Sequence, residues 1–335
     1  MRKIYSFLLS PLSLGCLVFL CLILTGCVRD VVLDAGERPK VVVECVLTDS
    51  SPQELRLSFT KGASLAEAPE LTETTARLID LTNNYPAGEF RRRDDGIWVL
   101  DYAAEPEHNY RLEVEVPGYE LVWAEQTMPE RIVVERIVEE TPPPPISSST
   151  YPITLVSYRI INANTPVWIC GILDYGPDKG KMYVERLCAD YPDVDVFNLT
   201  GDSYTPEIVH FDGSKYASYG SLYGKLLHRR FLRISNASSG QRFFVSGDFP
   251  GVYGLDDIFD YPERMYVCFS SFSQDYDRYL KQAFTTVNAG ISTDLTSIFA
   301  RDNFHSNIHG GIGIFGTCSL TTKDWLCGKQ YVEVD

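Results

Sequence analysis

The sequence lacks the short motifs that mark several common classes of enzyme and metal-binding protein. It contains no C-x-x-C pair, no H-E-x-x-H and no G-x-S-x-G, and only five of its 335 residues are histidine. Structural zinc sites, thioredoxin-like redox centres, zinc proteases and α/β-hydrolases therefore have no support in the sequence. We predict no metal and no cofactor.

Positive charge is also scarce. The chain has 30 Lys and Arg residues against 45 Asp and Glu residues, and its net charge is −15 at pH 7. A chain this acidic is not expected to bind nucleic acid or anionic lipid surfaces. The simplest role of the negative charge is solubility.

Long apolar runs are missing after the N-terminus, where the chain has one such run. Arg2 and Lys3 precede an apolar stretch over residues 7–24, which is the layout of a secretory signal peptide. A retained membrane-spanning helix is the alternative, because the run is nearly long enough to cross a bilayer. The run ends in "LTGC" (24–27), an aliphatic residue, two small residues and a cysteine, which resembles a bacterial lipobox.

This resemblance implies that residues 1–26 are removed and that Cys27 becomes acylated. Two or three acyl chains hold a protein firmly on a membrane, since each buried methylene contributes about 0.8 kcal/mol. We therefore predict a globular chain that is tethered to the lipid bilayer through Cys27.

Six cysteines remain after the lipid-bearing one. Cys45, Cys170 and Cys268 lie inside apolar, strand-like runs, and we predict that they are small buried side chains. Cys318 and Cys327 flank the turn-like stretch "CSLTTKDWLC" and are the best candidates for a disulfide in a compartment that permits one.

Alternation of apolar and polar residues dominates the first part of the chain. "KVVVECVLT" (40–48) places Val41, Val43, Cys45 and Leu47 on one face, and "ELRLSFT" (54–60) continues the pattern. Short alternating strands separated by turn residues predict an immunoglobulin-like β-sandwich over residues 27–130.

Residues 131–335 are predicted to form a larger β-rich second domain. "TPPPPISSST" (141–150) reads as an exposed loop or a linker; we favour the loop, because the strand-like segments "RIVVERIV" and "PITLVSYRII" on either side could pair across it. "SQDYDRYLKQAFTTV" (273–287) has apolar residues at helical spacing and predicts an amphipathic helix, with Ser273 as its N-cap.

Four features together point to a family: the lipobox, "VVVECVLTD", "SFSQDYDRYLKQ" and "SNIHGGIGIFG" (306–316). They resemble the Bacteroidetes outer-membrane lipoproteins that carry a domain of unknown function and are typically encoded beside TonB-dependent receptors. The resemblance implies an outer-membrane location and a TonB-dependent transporter as the partner. It supplies no catalytic or binding residue.

The glycine-rich segment has two possible roles. A phosphate-binding loop would lead into a helix, whereas "TCSLTTKDWL" after it looks like strand and turn. We therefore predict that its glycines let strands approach closely. His305 and His309 are four residues apart, which on a helix would place two metal ligands on one face, but the neighbouring glycines disfavour a helix.

Two acidic clusters and one tyrosine-rich stretch complete the candidate sites. The clusters around residues 190–202 and 256–263 are interpreted as solvated turns, with calcium binding or a glycosidase-like carboxylate pair as alternatives. "DGSKYASYGSLYGK" places Tyr216, Tyr219 and Tyr223 among Gly and Ser, which is typical of adaptable binding loops and equally of a hairpin on a sheet face.

The sequence therefore favours a non-enzymatic, lipid-anchored protein that binds a ligand or partner beside a transporter. Two alternatives remain open at this point: a cell-envelope hydrolase and a purely structural or adhesive surface module. An enzyme would bring several titratable groups together in a pocket, whereas a binder would present an aromatic or apolar surface.

Overall fold

The computed structural model describes residues 39–60, 71, 73–137, 153–162, 166–174, 181–183, 188–189, 194–200, 228–235, 242–248, 264–288 and 305–324. By its contacts the chain divides into two units. Every strand and helix named below belongs to one unit, Lys40–Thr60 with Pro69–Asp335, which we call the body. Of the other unit, Met1–Pro39 with Lys61–Ala68, the structure describes only Pro39.

The first half of the described chain consists of strands. They are β1 Val41–Thr48, β2 Gln53–Phe59, β3 Thr75–Asp80, β4 Tyr85–Glu89, β5 Arg91–Arg92, β6 Trp98–Leu100, β7 Asn109–Glu115, β8 Val122–Thr127 and β9 Val134–Ile137.

The second half adds nine strands and a helix. They are β10 Ile153–Ile160, β11 Val167–Asp174, β12 Lys181–Tyr183, β13 Cys188–Ala189, β14 Val194–Thr200, β15 His228–Ile234, β16 Arg242–Asp248, β17 Arg264–Phe272, α1 Gln274–Asn288 and β18 Ile312–Asp324. In the part of the chain that the structure describes, no helix is long and apolar enough to span a membrane.

The described strands form three sheets. A ten-stranded sheet has the order β14-β15-β11-β17-β18-β1-β2-β6-β5, with β12 paired to β11. The two four-stranded sheets have the orders β4-β3-β7-β8 and β13-β16-β10-β9. The predicted β-rich fold with a sandwich and one helix is confirmed. Strands from both sides of residue 130 share the large sheet, and the predicted domain boundary at that position stays a prediction.

Strands β1 and β18 lie side by side in the large sheet and run parallel. Each of them presents one face to each of two apolar cores. The sandwich core fills the space between the β1-β2-β6 end of the large sheet and the sheet β4-β3-β7-β8; it contains Val41, Val43, Cys45 and Leu47 of β1 and Phe315 of β18. The helix core contains Val46 and Ile314 from the opposite faces. The predicted alternation in β1 is confirmed.

Helix α1 covers the helix core. Tyr276, Tyr279, Leu280, Ala283 and Phe284, the residues that carry the helical spacing, are all buried there. The predicted helix is confirmed with its start and end each within one residue. The hydroxyl of Ser273 accepts a hydrogen bond from the Thr317 backbone N at 3.2 Å, and the Ser273 N donates to the Thr317 O at 3.0 Å, so the residue before α1 is fixed to β18.

The segment between β8 and β9 is held by hydroxyl groups of the large sheet. Ser271 donates to the Glu130 carbonyl oxygen at 2.8 Å, and Thr317 donates to the Thr127 carbonyl oxygen at 2.8 Å. These bonds satisfy two side chains that are fully buried. Beyond this segment, β9 pairs antiparallel with β10, which confirms the predicted pairing across the proline-rich stretch.

Candidate functional site

Most of the predicted site residues lie outside the described residues. They are Cys27, the three tyrosines Tyr216, Tyr219 and Tyr223, and Cys327. Cys318 is buried on β18, and its pairing with Cys327 stays a prediction. The predicted burial of Cys45, Cys170 and Cys268 is confirmed.

The acidic cluster near residue 195 is only partly described, and the described part differs from its interpretation. Asp195 lies on strand β14 and not in a turn. Its carboxylate accepts hydrogen bonds from Arg233 at 2.9 Å and Lys281 at 3.0 Å. Burial raises the pKa of Asp195, but these two cationic donors outweigh it and hold that pKa below its usual range. The cluster at 256–263 lies outside the described residues.

The Asp195 contacts extend into a buried ion-pair network that fastens α1 to the large sheet. Asp277, in the first turn of the helix, accepts from the Arg233 Nε at 2.7 Å and from the Trp168 indole N–H at 2.8 Å. A second Arg233 nitrogen donates to the other Asp277 oxygen at 2.8 Å, which makes the pair bidentate. Hydrogen bonding to Asp277 raises the pKa of Arg233 above its usual value.

The segment 305–311 connects the sandwich to α1. The Asn307 side chain forms the two hydrogen bonds that the backbone of a neighbouring strand would form with Phe315. Its Nδ2 donates to the Phe315 O at 2.8 Å, and its Oδ1 accepts from the Phe315 N at 3.0 Å. Two backbone hydrogen bonds join His309 to Trp123 on the edge strand β8. The segment therefore extends the sheet β4-β3-β7-β8 by a one-residue bridge.

The two histidines of this segment have different partners. His305 Nε2 lies 2.6 Å from an Asp275 carboxylate oxygen, while Gln126 donates to the other oxygen at 2.7 Å. Burial raises the pKa of Asp275, but these hydrogen bonds outweigh it and hold the pKa below its usual value. His309 instead stacks on the Trp123 ring, with centroids 4.0 Å apart. The segment is not helical, so the four-residue spacing does not bring the two rings to one helix face.

The glycines of this segment allow backbones to approach closely, as predicted. Gly313 has φ +117°, and an added Cβ would overlap the carbonyl oxygen of Val43 on the neighbouring strand. At Gly310, with φ +73°, an added Cβ would lie 2.7 Å from the carbonyl oxygen of Leu121. The glycine-rich segment 306–316 therefore has a structural role. Its glycines let the backbone pack closely against β1 and against the residue before β8.

A buried carboxylate at the end of β3 was missed by the sequence analysis. Asp80 is fully buried and accepts from the backbone N–H groups of Thr82 and Asn83 and from the His108 ring, which lies 2.9 Å away. Burial raises the pKa of Asp80, and these hydrogen bonds lower it further than burial raises it. The stretch "DLTNN" is a typical Asx-turn sequence, and this signal could have identified it.

The body also has a concave surface near the start of β3 and the turn between β7 and β8. This cavity has a volume of about 450 Å³, and its lining combines apolar side chains with two carboxylates: Val116, Pro117, Tyr119, Leu121, Glu73 and Glu115. The Tyr119 ring contacts Phe59 with centroids 5.3 Å apart, which ties the cavity wall to β2.

The chain matches one protein family, and its likeness to the solved structures described below is weak. No curated protein matches the chain. A solved structure from Corynebacterium diphtheriae, whose name proposes a membrane anchor, is 11% identical at a TM-score of 0.19 and covers 70% of this chain; the chain spans about half, 54%, of that protein. A fragment of alpha-2-macroglobulin from Escherichia coli is 11% identical at a TM-score of 0.20, covering 71% of this chain and 79% of that one.

At such TM-scores neither likeness supports an argument about fold or function. A family model is different, because it matches most of the chain. The match runs over residues 29–324 and includes helix α1 and the glycine-rich segment 306–316. The chain belongs to the family "Domain of unknown function (DUF4249)".

Proposed function

We propose that this protein is a lipid-anchored outer-membrane protein that binds a ligand or partner, without catalysis, beside a TonB-dependent transporter. The observation that carries the proposal is the position of the lipobox-like "LTGC" (24–27). It ends two residues before the family domain begins at residue 29. Cleavage and acylation at Cys27 would leave a mature chain that consists almost wholly of that domain on a short tether.

Two carboxylates of α1 have structural partners at both oxygens. Both oxygens of Asp275 and both oxygens of Asp277 accept hydrogen bonds from protein groups that join α1 to neighbouring elements. A catalytic carboxylate instead needs an oxygen directed at substrate.

Replacing Cys27 with Ala is expected to abolish acylation and to leave the chain either unprocessed or soluble. Without the thiol no acyl chain can be attached, and a nonlipidated chain loses the roughly 0.8 kcal/mol that each buried methylene contributes. Membrane fractionation and intact-mass analysis should show a wild-type chain that begins at acylated Cys27, and a variant that retains residues 1–26 or becomes soluble.

The matched control for this experiment is Cys21→Ala, which removes a thiol from the same apolar run without changing the lipobox-like sequence. This variant should be processed and anchored as the wild type is. An unlipidated native protein that keeps residues 1–26 would contradict the proposed location.

Replacing Tyr216, Tyr219 and Tyr223 together with Ala is expected to weaken co-purification with the transporter several-fold while the melting temperature stays nearly unchanged. Tyr provides a large and stiff contact area at low entropic cost, and a Gly- and Ser-rich loop can adapt around it. Quantitative pull-down from native membranes measures the effect. Tyr85→Ala, at an exposed tyrosine on β4, is the control. Unfolding of the triple variant would instead assign these tyrosines to a core.

A further inference from the structure

Two cysteines lie directly opposite each other in the middle of the large sheet. Cys170 is on β11 and Cys268 is on β17, and the antiparallel register pairs one with the other. Both strands are interior, because β11 also pairs with β15 and β17 also pairs with β18. Both side chains are fully buried and belong to the helix core, so they lie on the same face of the sheet.

The spacing of this pair suits a disulfide. Directly opposite residues of an antiparallel pair have Cα atoms about 4.5 Å or about 5.5 Å apart. A disulfide accepts Cα separations of about 4.4–6.8 Å, so either spacing allows one. The Cβ atoms of such a pair lie about 4.5–5.5 Å apart, and a disulfide brings them to about 3.8 Å. A shift on the order of 1 Å therefore closes the bond.

The other buried cysteines are out of reach. Cys45 lies in the sandwich core. Cys318 lies in the helix core, but it pairs with Phe272, which is four residues along β17 from Cys268. Four residues of a strand span about 13 Å, and Cα atoms more than about 7 Å apart cannot be bridged without backbone movement. Among the four cysteines whose side chains the structure describes, only Cys170 and Cys268 can therefore bond.

We propose that Cys170 and Cys268 form a disulfide that links β11 to β17 when the chain folds outside the cytoplasm. Both residues are in the thiol form in the structure. Each thiol loses one proton and one electron, and one S–S bond forms between them. The disulfide of a thiol oxidoreductase or of a small molecule takes up both protons and both electrons and becomes two thiols. The inference rests on the proposed location of the protein, since disulfides form in oxidising compartments.

The order of elements along the chain gives an oxidant access before burial. Helix α1 begins at Gln274, after both cysteines, and it covers the core in which they lie. Because a buried thiol reacts poorly, the bond forms while β11 and β17 pair and before α1 packs on them. The loop that the bond closes, residues 171–267, contains Tyr216, Tyr219 and Tyr223. The disulfide therefore fastens both ends of the segment that carries the predicted binding residues.

The test is peptide mapping of the native protein, extracted from its membranes in detergent and alkylated with iodoacetamide before any reductant is added. We expect a peptide that contains Cys170 joined to a peptide that contains Cys268, and dithiothreitol should separate them. A bond between Cys318 and Cys327 would join different peptides, so the two pairings are distinguished by mass.

Variants separate the bond from the packing of the thiols. Cys170→Ala and Cys268→Ala should each lower the Tm by roughly 5–15 °C. The double variant should lower the Tm little further, because loss of either sulfur removes the same bond. Cys45→Ala removes an equally buried thiol from the sandwich core and should lower the Tm by less. Additive losses from the two single variants, each no larger than the Cys45→Ala loss, would overturn the proposal.

Refolding the purified full-length chain in a mixture of reduced and oxidised glutathione distinguishes failure of this inference from failure of the proposed location. A bond between Cys170 and Cys268 after refolding, with two thiols in the native protein, would support the disulfide geometry and contradict a location outside the cytoplasm. Two thiols in both samples would overturn the disulfide, whatever the location of the protein.

Discussion

Replacing Asp277 with Ala is expected to destabilise the body by about 3–5 kcal/mol, the usual cost of removing one partner of a buried ion pair. The substitution leaves the Arg233 guanidinium, whose side chain is only 9% exposed, without its bidentate partner. It also removes the acceptor of the Trp168 indole N–H, and Trp168 is fully buried. An unsatisfied buried donor adds its own desolvation cost.

Thermal unfolding followed by circular dichroism measures this effect as a decrease in Tm of roughly 6–15 °C. Lys281→Ala is the matched control, because Lys281 is in the same network and on the same helix but its side chain is 47% exposed. It should cost about 1 kcal/mol or less. A double variant with Met at Arg233 and Leu at Asp277 should recover much of the loss, since apolar residues often replace a buried ion pair without cost. Equal losses for Asp277→Ala and Lys281→Ala would contradict the assigned role.

Replacing Gly313 with Ala is expected to cost about 2–5 kcal/mol. Part of this cost is backbone strain, about 1–2 kcal/mol for an L-residue forced to a positive φ. The rest is overlap of the new Cβ with the Val43 carbonyl oxygen, since overpacking costs about 1–3 kcal/mol. The overlap involves backbone on both sides, so β1 and β18 must move apart to relieve it.

Gly96→Ala separates the two contributions. Gly96 also has a positive φ, of +84°, but an added Cβ there meets nothing within 4 Å. Its unfolding free energy should fall by the strain cost alone, about 1–2 kcal/mol. Denaturant unfolding of both variants under identical conditions gives the difference. If Gly313→Ala lowers the unfolding free energy no more than Gly96→Ala does, a side chain fits between β1 and β18. The role assigned to Gly313 would then be wrong.

Local patterns in the sequence were sufficient to predict the elements of this fold. The alternation in "KVVVECVLT" correctly assigned the buried face of β1, and the spacing of Tyr276, Leu280 and Phe284 correctly assigned the buried face of α1. Both depend only on the period of a strand or a helix. The pairing of β9 with β10 was also predictable, because a loop between two strands favours an antiparallel hairpin.

Contacts between distant residues were not predictable in this way. Nothing local to Asp277 indicates that Arg233 and Trp168 approach it, because that contact depends on how α1 lies across β11 and β15. The different partners of the two histidines have the same cause. His305 contacts Asp275 of α1, and His309 stacks on Trp123 of β8. The cavity was missed for the same reason, since its walls come from separate turns.

The parallel pairing of β1 with β18 has a consequence for how the protein is made. Val42 pairs with Ile312, so β1, the first strand that the structure describes, meets this partner only after all of the chain between the two strands has been synthesised. Contacts of such high sequence separation form slowly, and the unpaired edge of β1 is exposed until they do. A truncated or stalled chain would lack one wall of both apolar cores at once. Only a chain that has been synthesised as far as β18 can therefore bury both apolar faces of β1.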